Sequence, residues 1–226
     1  MDEKTKILYH GTDARFVRMS KEERMEYLNK CNKVIDYLWG LFQPLWTTTV
    51  IVEISLPNGE KGYIPQRKIE IIANKFTSKE ERIVKCNFFE SLSRVEAWKK
   101  GNTQYQYGDL YLTSLRKTAL NYARRAFAGG ETGLNAYRLI ECAELLQIDG
   151  WNKNDDINKT IIDIKQTIGT ADNDEPVVIT VTDIDFDKLY ADTGNSLDAN
   201  ISQQLFRYVG EYSLDLKNAF YLRKNL

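Results

Sequence analysis

The residues with chemical capacity gather around one stretch, Gly108-Asp-Leu-Tyr-Leu-Thr-Ser-Leu-Arg-Lys-Thr-Ala-Leu-Asn-Tyr122. It reads as a turn, a short strand over 110–113 and a helix that starts at Ser114. A strand that runs straight into a helix makes a corner where backbone amides and a helix N-terminus converge on a ligand. Tyr111 on the strand and Tyr122 two turns into the helix can enclose one flat group between their rings, with core or boundary packing as the competing role. The chain has a single histidine, His10, within Leu8-Tyr-His-Gly-Thr12. That count excludes a two-histidine relay or a histidine-rich metal site, and a functional His10 has one job. Arg116, Lys117, Arg124 and Arg125 decorate the helix of the corner. Basic side chains there either sit in water or bind phosphate regardless of sequence. Tyr105 and Tyr107 precede the corner, placed to stack on an exposed base or to form a lid over a cofactor.

Two distant segments join this stretch: Leu8-Tyr-His-Gly-Thr12 near the N-terminus and Arg207-Tyr-Val-Gly-Glu-Tyr-Ser213 near the C-terminus. Together the three resemble the ADP-ribosyltransferase fold, in the His-Tyr-Glu branch that includes poly(ADP-ribose) polymerases and diphtheria-type toxins. Gly108, Tyr111 and Tyr122 keep that branch's Gly-x-x-Tyr and its second tyrosine eleven residues on. Glu211-Tyr212 follows an aromatic-rich approach, Phe206 and Tyr208, as the branch's third segment does. The resemblance covers these three segments and no more of the chain.

The resemblance implies NAD as co-substrate, with no metal. His10 would hydrogen-bond a ribose hydroxyl, the backbone of Gly11 would hold the nicotinamide carboxamide, and Thr12 would complete that segment. Tyr111 and Tyr122 would sandwich the nicotinamide ring. Glu211 would bind the 2′-hydroxyl of the nicotinamide ribose and stabilise positive charge as the glycosidic bond breaks. The catalytic set is then Glu211, His10 and Tyr122. Such chemistry needs a nearby carboxylate, a held ribose and a fixed leaving group, because its transition state is oxocarbenium-like. Two departures matter. Ala119 stands where polymerases carry a small hydroxyl residue, so one hydrogen bond to the carboxamide is missing. Val209, two residues before Glu211, replaces the Glu or Gln of arginine-directed members. The polymerase regulatory helices have no match, which favours single transfer over chain extension.

The rest of the chain must position these residues. Residues 6–9 read as a strand ending at His10-Gly11-Thr12, where Gly11 lets the backbone turn or approach a ligand closely. Ser20 to Glu23 has the spacing of a capping box. It opens a helix of about six turns that Pro44 ends. Residues 50–56 alternate as a strand closed by Pro57-Asn-Gly59. The run 68–73 is too brief to decide between strand and helix. A second capping box at Ser78 and Glu81 opens a helix that Gly101 stops. The corner helix is expected to run from Ser114 to Ala128, followed by helices over 135–148 and 155–168. A buried strand over 177–181 and strand material at 206–209, 212–216 and 219–222 complete the pattern. Strands at both ends with helices between give an α+β fold. The resemblance makes it a split-sheet ADP-ribosyltransferase-like core, 1–226 as one domain, with helical insertions at about 20–43 and 78–100.

A formal net charge of -1 creates no global field toward nucleic acid or membrane, so any nucleic-acid contact must be a local patch. No signal peptide or long apolar run is present, which gives the expectation of a soluble, cytoplasmic protein without a membrane partner. Cys31, Cys86 and Cys142 are widely spaced and odd in number, as free buried thiols of a reducing compartment are. The toxin-like resemblance points to a mono-ADP-ribosyltransferase of a toxin-antitoxin or phage-defence system, checked by a cognate antitoxin. Its acceptor would be nucleic acid, RNA first, or protein, with Arg124, Arg125, Tyr105 and Tyr107 as acceptor contacts. The alternative is a non-catalytic NAD- or ADP-ribose-binding module, or a protein-interaction module built on the long helices.

Overall fold

Residues alternate between two environments along β1 (Leu8–Asp13) in the computed structural model, which describes residues 7–74, 78–101, 110–169, 174–182, 184–191, 205–208 and 214–221. Leu8 is buried on one face of the sheet with Leu110, Leu112, Val177, Ile179, Val181 and Tyr208. Tyr9 packs on the other face with Val178, Ala119, Leu120 and Ala123. This is the period-two pattern of a strand covered on both sides. β1 is central in a six-stranded antiparallel sheet with β4 (Leu110–Thr113), β5 (Pro176–Val181), β6 (Leu189–Ala191), β7 (Leu205–Tyr208) and β8 (Ala219–Tyr221), in the order β6-β7-β4-β1-β5-β8. With α1 (Ala14–Arg18) and α5 (Arg116–Ala123), this sheet belongs to a compact unit formed by Met1–Leu28, Trp98–Leu134 and Gln166–Leu226.

A second compact unit, Asn29–Ala97 with Asn135–Lys165, holds the hairpin of β2 (Thr49–Ser55) and β3 (Lys61–Arg67), and α3 (Lys68–Ala73). It also holds most of the residues of α2 (Lys21–Thr47), α4 (Lys79–Lys99), α6 (Glu131–Leu146) and α7 (Asp155–Ile168). Its core contains Leu38, Phe42, Phe88, Leu92, Leu139, Ile140 and Ile164, with Phe42 and Phe88 edge-on at 4.9 Å. The mixture of helix and sheet is the expected α+β class.

Several expectations are corrected. Pro44 lies inside α2 instead of ending it. Its missing amide would have bonded the carbonyl of Gly40, and both residues are on the exposed side. The buried Trp46, with its indole N–H donated to Glu96 at 2.8 Å, anchors the turn beyond it. β1 runs through His10-Gly11-Thr12 instead of stopping there, because these residues pair with Ile179, Val178 and Val177 of β5. Both capping boxes form, at Ser20/Glu23 and Ser78/Glu81. The run 68–73 is helical. β3 and β6 were not anticipated: Pro65 breaks the sequence pattern of the first, and the second is three residues long. Of the strand expected over 212–216, the described residues 214–216 form none: Leu216 opens a 3-10 turn, Leu216–Asn218, capped by Asp215 accepting from the Lys217 amide. Cys86 is exposed, unlike the buried Cys31 and Cys142.

Candidate active site

The corner forms because Thr113 turns the chain. Its Oγ1 accepts the amide of Leu115 at 3.0 Å, and α5 begins one residue later at Arg116. The helix ends at Ala123 and not at Ala128; Ala126–Ala128 is a separate 3-10 turn. Tertiary bonds hold the turn that follows. Arg15 Nη2 donates to Phe127 O at 3.0 Å and Tyr27 Oη donates to Ala128 O at 2.9 Å. Gly129 then adopts a positive φ of 74°, and a Cβ there would lie 2.6 Å from the Phe16 ring. Arg124 and Arg125 consequently sit in an exposed turn after α5, not on its face.

Helix α5 is set against β1 through Gly11. A Cβ built on Gly11 would lie 1.9 Å from the Ala119 carbonyl oxygen and 2.8 Å from the Ala123 amide nitrogen. Gly11 is therefore required for a close approach, but of the helix backbone. Ala119 is fully buried in the same contact. Ala119 is thus used for helix packing, and the neighbouring Thr118 is also buried.

Strand β1 pairs with β5 over its whole length, from Leu8↔Val181 to Asp13↔Pro176. Its register with β4 consists of one pair, Tyr9↔Thr113. Strand β4 pairs with β7 throughout. The sheet is therefore two well-paired halves whose shared ladder is a single pair. The His10 ring bonds the backbone of β4 next to that pair: Nδ1 lies 2.9 Å from the Tyr111 carbonyl oxygen. A carbonyl only accepts, so Nδ1 carries the proton and Nε2 of the neutral ring is an acceptor. Burial lowers the His10 pKa below its ordinary value, and the bond to Tyr111 opposes the shift only in part.

Tyr111 and Tyr122 come to one side of the sheet. Tyr111 is two residues from Thr113, the partner of Tyr9, and so projects on the face that α5 covers. Its side chain is half-buried, whereas Tyr122, beside the buried Ala119 and Ala123, is 39 % exposed. Neither ring is sealed in the core. By strand alternation the His10 side chain leaves β1 on the opposite face, with Thr12, which is buried against Val177. From that face the His10 ring reaches the backbone of Tyr111. Glu211, Tyr105 and Tyr107 lie outside the described residues.

One residue with an evident place in the site had no role assigned to it from sequence, Arg207. It pairs with Tyr111 across β4 and β7 and is half-buried on the same face. Among the described residues no cluster of three His, Cys, Asp or Glu gathers in a way that could hold a metal. No helix among them is long and apolar enough to cross a membrane. Comparison with models of protein families, with curated proteins and with solved structures finds no match for this chain.

Proposed function

We propose that this chain is a NAD-dependent mono-ADP-ribosyltransferase that transfers ADP-ribose to an intracellular macromolecule, nucleic acid ahead of protein. The observation that carries this reading is the His10 ring bonded to the Tyr111 carbonyl beside the one-pair junction of β1 and β4. A ribose hydroxyl donates to Nε2 of His10, the one remaining acceptor on that ring. The carboxamide of nicotinamide has a donor and an acceptor, which matches the backbone carbonyl and amide of Gly11. The rings of Tyr111 and Tyr122 supply flat surfaces for the pyridine on the same side of the sheet.

The reaction breaks the bond between the ribose anomeric carbon and the nicotinamide nitrogen, whose electron pair leaves with neutral nicotinamide. An oxygen or nitrogen of the acceptor bonds to the same carbon and releases its proton. Positive charge on the ribose peaks between these events, and Glu211 is the carboxylate that the sequence resemblance assigns to it. The resemblance to toxin-like members extends the reading to an effector restrained by an antitoxin.

Labelled NAD incubated with the protein and total cell extract tests the activity, and survival of label through protease or nuclease identifies the acceptor class. Glu211→Gln tests the mechanism. Gln still hydrogen-bonds a hydroxyl but brings no charge, so the loss falls on turnover and not on NAD affinity. Removing one preorganised electrostatic partner typically costs on the order of a hundred- to a thousandfold in rate. Transfer by the Gln variant at the wild-type rate sinks the enzymatic reading.

A further inference from the structure

Opposed residues on neighbouring antiparallel strands share a face, and two of the sheet's pairs line up end to end. Tyr111 of β4 opposes Arg207 of β7, and Arg207 opposes Tyr190 of β6. The three form a row across the half of the sheet that lies on the far side of β4 from β1, on the face where α5 packs. Strand spacing puts Tyr190 roughly 10 Å from Tyr111, with the guanidinium-bearing residue between them. Exposure rises along the row: Tyr111 and Arg207 are half-buried, and Tyr190, on the outermost strand, is 50 % exposed. Nothing in the apolar core requires Tyr190 on this face. The core cluster lies on the other, where Leu110, Leu112 and Tyr208 are buried.

We infer that Tyr190 and Arg207 form an acceptor subsite for single-stranded nucleic acid, leading from the sheet edge to the proposed reaction centre at Tyr111. An exposed ring stacks on a base whatever its identity, a guanidinium pairs with the phosphate beside it, and a sheet surface presents both to an unpaired strand. The row ends on β6, the outermost strand among the described residues, so a polynucleotide can continue past it, whereas the adenylate half of NAD would end there. This inference rests on the proposed function for the meaning of the bound strand as acceptor. Binding is measured without NAD so that the two fail separately.

The test is fluorescence anisotropy with a short fluorescein-labelled single-stranded RNA of mixed sequence, over a range of salt. The expected result is salt-dependent binding by the wild type, weakened about tenfold or more in Tyr190→Ala and retained in Tyr190→Phe. Arg207→Gln is expected to lower the slope of log affinity against log salt by about 0.7, the value for one phosphate contact on a single strand. Circular dichroism establishes that each variant is folded, and the two substitutions on different strands guard against one failing to fold. Absence of RNA binding by the wild type overturns the inference and leaves NAD binding to judge the proposed function by itself. Loss of ADP-ribose affinity in Tyr190→Ala without loss of RNA affinity also overturns it, and gives the row to the cofactor instead.

Discussion

A histidine whose Nδ1 is committed to a carbonyl has one nitrogen left for a ligand, and at His10 that nitrogen is an acceptor only while the ring is neutral. Burial secures this state by pulling the pKa below 6.5. Between that lowered value and 6.5 the unfolded chain binds the proton and the native chain does not, so stability falls as pH drops through this window and is flat above it for this group. Because the chain has one histidine, its imidazole resonances are unambiguous in a proton NMR titration. The expected midpoint is below 6.5; a midpoint above it contradicts a desolvated ring donating to Tyr111. A second prediction concerns its neighbour. Gly11→Ala would push a methyl against the Ala119 carbonyl, which is backbone and cannot rotate away. Overpacking of this kind costs about 1–3 kcal/mol. Urea unfolding should show at least that loss, and an unshifted midpoint would mean that α5 does not lie on β1.

The elements around the site are held by a charged knot as much as by apolar packing. Asp13, at the end of β1, is 1 % exposed and accepts from the Arg15 amide, from the Arg15 guanidinium and from the Glu175 amide. Arg15 reaches on to Asp174, to the Phe127 carbonyl and to the Ile168 carbonyl. One guanidinium thus fixes the turn after α5, the end of α7 and the approach to β5. Arg15→Met removes it and leaves Asp13 buried without its counter-charge, a change that typically costs about 3–5 kcal/mol. Chemical denaturation is expected to show it; a loss under about 1 kcal/mol would mean that the backbone amides alone satisfy Asp13. This knot also explains what was legible in the sequence. Capping boxes, the helix over Asp155–Ile168 and the strands β2, β4 and β5 carry local signals, and they formed as expected. The turn after α5 is held by Arg15 and Tyr27, distant residues that no local pattern reports. The continuation of α2 through Pro44 depends on Trp46 and Glu96 in the same way. Of the site, the residues of the corner and the histidine could be picked out by type and spacing. The one-pair junction of β1 and β4 could not, because a register is a property of two strands and each sequence alone is silent on it.

At the scale of the whole molecule the charge is close to balanced, with 31 basic and 32 acidic residues, so association with a polyanion cannot draw on a long-range field. Binding to a nucleic-acid acceptor then depends on few cations, and its salt dependence reports how many. Arg124 and Arg125 are exposed in the turn that follows α5, two and three residues beyond Tyr122. Their replacement by Ala together should reduce transfer to an RNA acceptor more than it reduces NAD hydrolysis, and the gap between the two rates should narrow as salt is raised. The reason is that each phosphate contact releases condensed counterions, a gain that shrinks with salt, whereas water as acceptor gains nothing from it. The two losses are measured on one preparation, with label released to water and label retained on RNA. Equal loss of hydrolysis and transfer at every salt concentration would assign the pair to the cofactor or to the stability of the corner, and the acceptor would have to be gripped elsewhere on the sheet unit.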